Sequence, residues 1–382
     1  MKYIIFVYYL LNNINLSTNF LLKKIFIKKN IQLTSNFNDL NTNLDKNYNL
    51  HWYTIGESKE FLENIPYKIT IFDNDYLVYK NNSSFYAMDN HCSHRGASLA
   101  HGKIKNNNII CPYHGYEFNT DGLLCKVPGL NFTNNNCYNQ NTYNIVELND
   151  LVYLNTISKN IYEPNYINIY QEPEANNNTF SQILLNIDFN SYGRLVSENS
   201  LDVMHIGFVH SFGNNENPSP ITEIPPYLMN DYPYHYKTVY SYNSGKDSMA
   251  KSVFDQDTLI IENEFVLPHT TIARVKFGDY ISTVVTYTLP VNITYSKLFV
   301  KTYRNFWNSN EDNLLSMIIN NLGNTATKEL MYNTIMEDKK IIEEIKLKYS
   351  YGKFNMKYDK LQNLYRTLYK RLIHNVSDGN LF

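Results

Sequence analysis

The sequence predicts an α+β protein in two parts: a small antiparallel β domain that carries a metal motif, then a larger antiparallel sheet with helices packed on it. Three observations predict this. Short β-type runs separated by turn residues fill the stretch from His51 to about residue 155. Two Cys/His pairs interrupt those runs, Cys92-Ser-His94 and Cys111-Pro-Tyr-His114. After residue 156 come a helical segment, a second set of β runs over 258–305, and helical stretches from Glu311 onward. The expected division is an extension over residues 1–45, a first domain over 50–155 and a second over 156–382.

Bulk properties narrow the function. The 382 residues carry a net charge of −2. There is no strong global field, so no nucleic-acid partner is expected. The 34 Tyr and 20 Phe can line a large apolar core. The heavy use of Asn, Ile, Lys and Tyr reads as the mark of an AT-rich coding sequence. Four cysteines are too few for a disulfide scaffold. Two belong to the metal motif; Cys125 and Cys137 read as small buried hydrophobes. No run is apolar enough for a transmembrane anchor. No GxGxxG or Walker loop is present, so no bound dinucleotide is expected. At the N-terminus an apolar run from Tyr3 to Leu11 precedes Lys23, Lys24, Lys28 and Lys29, and no acidic residue appears before Asp39. That pattern fits a targeting leader, which would put the protein in a plastid or another organelle. A compositionally biased extension on a cytoplasmic protein is the alternative.

The first domain opens at His51-Trp52-Tyr53. Strands are expected at Tyr67–Phe72, Tyr76–Tyr79 and Ser84–Met88, with turns at Asp73-Asn74-Asp75 and Asn81-Asn82. A strand at Asn108–Ile110 lies between the two metal pairs, and a hairpin over 116–124 follows them. Gly96 and Gly115 directly follow the pairs, where a loop folding back on a metal needs positive φ or close backbone approach. Their amides are expected to face the cysteine sulfurs. In the second domain, Leu195 to His210 reads as one helix. Strands are expected at Thr258–Ile261, Thr271–Phe277, Tyr280–Leu289 and Lys297–Tyr303. Helices follow at 313–319, 328–348 and 360–373.

Two thiolates and two imidazoles suit zinc or an iron–sulfur cluster with mixed ligands. On the bare spacing structural zinc is the commoner answer. The details beyond the ligands, Cys92-Ser-His94-Arg95-Gly96 and Cys111-Pro-Tyr113-His114-Gly115, resemble the Rieske [2Fe–2S] domain. The resemblance implies Cys92 and Cys111 on one iron and His94 and His114 on the other. Ala97 and Tyr113 stand where the cytochrome-complex branch has its extra disulfide, so the likeness is to the oxygenase branch.

A second constellation lies downstream: Glu198-Asn199-x-x-Asp202-x-x-His205-x4-His210. Asp202 and His205, three apart, share a helix face. His205 and His210 are about 140° apart on an ideal helix, so both can reach one ion only if the helix ends or is distorted between them. The segment resembles the mononuclear iron motif of the Rieske non-haem iron oxygenases, and it follows the cluster motif in the order that family shows. The resemblance implies Fe(II) on His205, His210 and a carboxylate from a distant helix. Asp338 is the first candidate, with Glu337, Glu343 and Glu344 as alternatives. It gives Asp202 the role of linking an iron histidine to a cluster histidine across a subunit boundary, places Asn199 beside the iron, and leaves Glu198 as an outlying support.

The resemblance runs from about His51 to Leu372 and is nearest to vanillate-demethylase-like and pheophorbide-oxygenase-like members. The plastid members with a Cys-x-x-Cys and an apolar C-terminal anchor differ, since no cysteine follows Cys137. It implies a helix-grip-like catalytic sheet, a ferredoxin or reductase as electron donor, O₂ as co-substrate, a homotrimer, and hydroxylation, demethylation or ring oxidation of an apolar or aromatic small organic substrate, tetrapyrrole-like ones included. Phe265, Val284, Tyr287 and Phe299 are pocket candidates. Lys103, Lys105 and Lys126 are candidates for docking an acidic ferredoxin. A Rieske electron carrier without oxygenase activity and a zinc-stabilised binding module remain as alternatives.

Overall fold

The computed structural model describes residues 48–131, 136–161, 169–309, 311 and 313–374. The expected leader therefore lies outside the described residues. The first ten strands are β1 (Trp52–Glu57), β2 (Pro66–Ile71), β3 (Asn74–Asn81), β4 (Ser84–Asp89), β5 (Lys103–Lys105), β6 (Asn108–Ile110), β7 (Glu117–Phe118), β8 (Leu124–Lys126), β9 (Tyr143–Leu148) and β10 (Leu151–Ser158). They form three antiparallel sheets, in the orders β1-β10-β9, β2-β3-β4 and β5-β6-β7-β8. The turns fall where the Asn and Asp residues are. Phe72 and Asp73 take φ of 48° and 61°, and Asn82 and Ser83 take 49° and 61°, the primed-turn geometry that matches strand twist. The four-stranded sheet carries the two metal loops on its β5 and β6 ends, over a core of Leu77, Leu99, Ile109, Phe118 and Leu124.

The second part is one seven-stranded antiparallel sheet. Its strands are β11 (Ser181–Phe189), β12 (Thr222–Leu228), β13 (His235–Asn243), β14 (Thr258–Val266), β15 (Thr270–Phe277), β16 (Tyr280–Pro290) and β17 (Ser296–Arg304), in the order β11-β17-β16-β15-β14-β13-β12. Strands β15 to β17 follow the expected spans to within a residue at each end, and β14 starts where expected but runs on from Ile261 to Val266. Strands β11, β12 and β13 were not expected. Strand β12 contains Pro225-Pro226, and its register with β13 shifts between Ile224 and Tyr227. Proline is tolerated there because β12 is an edge strand.

The two faces of this sheet are used differently. Val285, Tyr287, Leu289, Phe299 and Tyr303 pack against Tyr53, Tyr153 and Leu154 of the first part. Leu185, Phe265, Leu298 and Val300 pack beneath helices α1 (Gly193–Leu201), α4 (Leu314–Ile342) and α5 (Lys360–Tyr369). Between them in the chain lie two single turns, α2 (Ile206–Val209) and α3 (Met249–Ser252). The alternation of side chains along β16 and β17 sends one set to each neighbour. Helix α4 is continuous where two helices were expected. Its interior Gly323 has a packing reason: a Cβ there would lie 2.5 Å from Arg304 Nη2 and 2.7 Å from the Trp307 carbonyl. Arg304 is 1% exposed, and its guanidinium donates to Thr327, Asn324 and the carbonyls of Phe306 and Trp307.

Candidate metal centres

Cys92 and Cys111 are buried, whereas His94 and Arg95 are exposed and His114 is half-buried. The pairs sit in two matched turns. Gly96 donates its N–H to the Cys92 carbonyl (2.8 Å) and Gly115 to the Cys111 carbonyl (3.0 Å), each glycine at φ 70°. The expected positive φ is therefore found. The expected amide–sulfur contacts come from elsewhere: the N–H groups of His94 and Arg95 face the Cys92 sulfur. A glycine N–H that closes the turn is already spent on a carbonyl. Ser93 Oγ donates to the Tyr138 carbonyl (2.6 Å), which ties the first loop to the chain beyond the hairpin.

Two pairings hold the ligands. The Cys92 and Cys111 side chains are within hydrogen-bond range of each other. The His94 and His114 rings lie 4.7 Å apart, and Tyr116 stacks on His94 at 4.7 Å and 11°. Among the described residues, no three of these four ligands bring their atoms within 4.8 Å of one another. One tetrahedral zinc would hold all four within roughly 4 Å. The separation fits two metals, sulfurs on one and imidazoles on the other. Burial pushes the Cys92 thiol up to about 11, against the His94 and Arg95 amides that favour its charged form. Such a thiol stays protonated at neutral pH unless a metal replaces the proton.

The second constellation is built around a break in the chain. Helix α1 ends at Leu201, and Asp202 is extended (φ −82°, ψ 120°). Asp202 then accepts the N–H groups of Met204 (2.8 Å) and His205 (3.3 Å) and starts the turn α2. His205 stands at the start of that turn, and His210 follows it with extended backbone (φ −94°, ψ 138°). The single helix expected over Leu195–His210 is thus corrected, and so is the shared helix face of Asp202 and His205. The break falls between Asp202 and His205, because the Asp202 carboxylate satisfies the donors of a new turn.

Across from this turn lies α4. Asp338 Oδ1 is 3.3 Å from His205 Nε2 and 3.5 Å from His210 Nε2. Among the described residues these three form the group of ligand atoms that converge within 4.8 Å. His210 is 4% exposed, and His205 and Asp338 are each 15% exposed. Asp338 Oδ1 and His205 Nδ1 are buried with no hydrogen-bond partner. Unpaired buried polar atoms of this kind call for a ligand, and two imidazoles with one carboxylate on one side suit non-haem Fe(II). Burial works against charge on His205, but the Asp202 and Asp338 carboxylates outweigh it and push its imidazole up to about 9. Burial works against charge on Asp202 too; His205 and the two N–H groups outweigh it and hold the carboxyl below its usual range.

The other candidates are distributed as follows. Glu337 Oε2 lies 3.0 Å from His210 Nδ1. Glu343 accepts the Asn190 N–H (2.7 Å), and Glu344 is exposed. Asn199 is half-buried in the last turn of α1, where its carbonyl accepts the Asp202 N–H. Glu198 faces away from the histidines. It is 3% exposed and paired with Arg194 and with Arg366 of α5 (2.8 Å to Nη2). Tyr287 and Phe299 lie on the face of the sheet turned to the first part, and Phe265 is packed under Tyr365 of α5, so these three are core. Val284 is half-buried on the helix-covered face. Cys125 and Cys137 are exposed, contrary to expectation. Cys125 is exposed on the edge strand β8, and Cys137 lies on an exposed 3₁₀ turn.

Residues 51–138 match the Rieske [2Fe-2S] domain. The chain carries a Rieske domain. Over 78 residues it is 33% identical to the oxygenase component of 3-ketosteroid-9-alpha-monooxygenase from Rhodococcus rhodochrous, covering 20% of this chain and 21% of that one. Over 85 residues it is 29% identical to the chloroplastic chlorophyllide a oxygenase of Chlamydomonas reinhardtii, covering 22% and 13%. The chain thus spans well under two thirds of these curated relatives. Dicamba monooxygenase bound to dicamba aligns with a TM-score of 0.68 at 16% identity, covering 85% of this chain and 97% of that one. The Rieske domain, the antiparallel sheet behind it and these relatives make the chain a relative of the Rieske oxygenases, with their fold.

Proposed function

We propose that this protein is the terminal oxygenase of a Rieske system. Cys92, Cys111, His94 and His114 hold a [2Fe–2S] cluster, and His205, His210 and Asp338 hold a mononuclear Fe(II). The observation that carries the reading is the convergence of His205 Nε2, His210 Nε2 and Asp338 Oδ1 within 4.8 Å. An electron carrier or a zinc-stabilised module has no need of that second group.

Bound there, the cluster would supply single electrons and the Fe(II) would supply activation of O₂. The chain's own residues do the rest. Buried Cys92 and Cys111 keep water from the sulfur side, while exposed His94 offers the entry point for a ferredoxin or reductase. His205, His210 and Asp338 would hold that ion from one side and leave room for O₂ and a small apolar or aromatic substrate to be hydroxylated, demethylated or ring-oxidised. Asp202 fixes the turn that presents His205, and Asn199 anchors Asp202 in turn. Asp202 would also face a cluster histidine of a neighbouring copy in a homotrimer. Lys103 and Lys105 are exposed on β5 and would help dock an acidic donor. Lys126 is already paired with Glu117 at 2.9 Å and contributes less to that field. The leader-like N-terminus and the chloroplastic relative favour a plastid or related organelle. No described helix is long and apolar enough to cross a membrane.

Substrate-dependent O₂ uptake by anaerobically reconstituted protein, over a panel of aromatic ethers, sterols and tetrapyrroles, tests this. Uptake above the no-substrate rate with at least one compound, abolished by Asp338→Asn, is expected. A cluster that cycles with its donor while no compound stimulates uptake would leave only electron transfer.

A further inference from the structure

Glu337 and Asp338 are consecutive on α4, about 100° apart around the helix, yet both reach the same imidazole. Asp338 Oδ1 is 3.5 Å from His210 Nε2, and Glu337 Oε2 is 3.0 Å from His210 Nδ1. Phe212 stacks on the ring at 5.1 Å and 16°. The ring is thus held at Nδ1 and over one face, while Nε2 is turned toward Asp338 Oδ1 without a hydrogen bond. His205 is held differently. Its Nδ1 is 3.9 Å from Asp202 Oδ1, too long for a hydrogen bond, and has no partner.

We infer that Glu337 is the positioning residue of the mononuclear site. It accepts the Nδ1–H of His210, fixes the tautomer that leaves Nε2 free, and aims Nε2 at the space shared with Asp338 and His205. This rests on the metal-site reading above and deepens it. The physical reason is the tautomer. A neutral imidazole offers a metal whichever nitrogen lacks the proton, and the acceptor behind the ring decides which one that is. A carboxylate does so more strongly than a neutral acceptor and also makes the ring a better donor to a cation. The alternative, Glu337 as a ligand in its own right, conflicts with its position behind the ring. The side chain is 31% exposed, so it can be changed without opening the core.

The test uses Co(II) in place of Fe(II), in protein that retains its cluster. The mononuclear site is emptied with a mild chelator and refilled anaerobically. Affinity is read by titration, and ligand geometry by the hyperfine-shifted imidazole N–H protons that exchange with water. Wild-type protein should bind Co(II) and show one such proton for each histidine. Glu337→Leu should bind about 10- to 100-fold more weakly and lose or broaden the His210 signal, with cluster absorbance unchanged. Glu337→Gln, whose amide oxygen still accepts the proton, should keep that signal and fall between the two in affinity. Wild-type affinity and both signals in Glu337→Leu would overturn the inference alone. So would Glu337→Gln losing as much affinity as Asp338→Asn while keeping both signals, since Glu337 would then be a ligand. Wild-type protein that takes up no Co(II) would overturn the metal-site reading and the inference with it.

Discussion

At His269 burial and one backbone hydrogen bond decide the protonation state. Its Nε2 accepts the Thr54 N–H (3.0 Å), which only the neutral ring can do. Burial pushes the imidazole down to about 3. The folded pKa lies below the unfolded value of about 6.5, so the unfolded chain binds more protons between those limits. Stability is full above about pH 6.5 and falls as pH drops toward 3, by roughly 1.4 kcal/mol per unit. Between pH 6.5 and 5 this one residue should cost about 2 kcal/mol. Denaturation across that range should show a shallower slope in His269→Gln. At the same scale, the candidate ligands are legible because their residue types and spacing are chemically restrictive. Glu337 was visible only as a competing ligand. Its place behind His210 depends on how α4 is rotated against the turn at 206–209, which no local pattern encodes. The cysteines outside the motif were misjudged because burial follows tertiary position, and a three-residue strand at a sheet edge leaves Cys125 exposed.

At the scale of elements, turn chemistry carried most of the reading. Asn and Asp at strand ends marked β2 to β4, and alternating apolar residues marked β14 to β17. Strand β13 was missed because its buried positions are largely Tyr, Thr and His, and β12 because two prolines argue against a strand wherever edge position is unknown. The helix end expected between His205 and His210 falls after Val209, whereas the earlier break after Leu201 is unexpected, since Asp202 reads equally well as a helix residue or as a cap. The gap expected between 319 and 328 is absent, and Gly323 lies inside the continuous α4 over the Arg304 guanidinium. Gly323→Ala should therefore destabilise the protein by about 1–3 kcal/mol through overpacking, where an exposed helix position would gain about 1 kcal/mol from the same change. Urea denaturation would separate the two signs.

For the whole molecule, the seven-stranded sheet is the shared wall. One face meets the Rieske domain and the other is covered by the helices that carry Asp338 and lead to His205. The wall is tied through charge as well as apolar contact. Lys301 is 0% exposed on β17; its Nζ pairs with Glu172 at 3.0 Å and donates to the Asn149 carbonyl at 2.5 Å, in the turn between β9 and β10. Tyr287 donates to the same Glu172 at 2.5 Å. Removing one partner leaves an uncompensated buried charge, so Lys301→Met should cost about 3–5 kcal/mol, and Lys301→Met with Glu172→Gln should cost less. Thermal unfolding of the single and double variants checks the order. These long-range pairs were beyond sequence reading, as was the assignment of Tyr287 and Phe299 to the face that meets the first domain, since alternation along a strand says which residues share a side without saying which side meets which domain.

Two iron centres of different kinds in one chain are measured most directly by metal content. Anaerobically purified protein should contain about three irons and two labile sulfides per chain. Its Asp338→Asn variant should contain about two of each, with the cluster's absorbance preserved. Zinc in place of iron, or equal iron in the two proteins, would contradict the account.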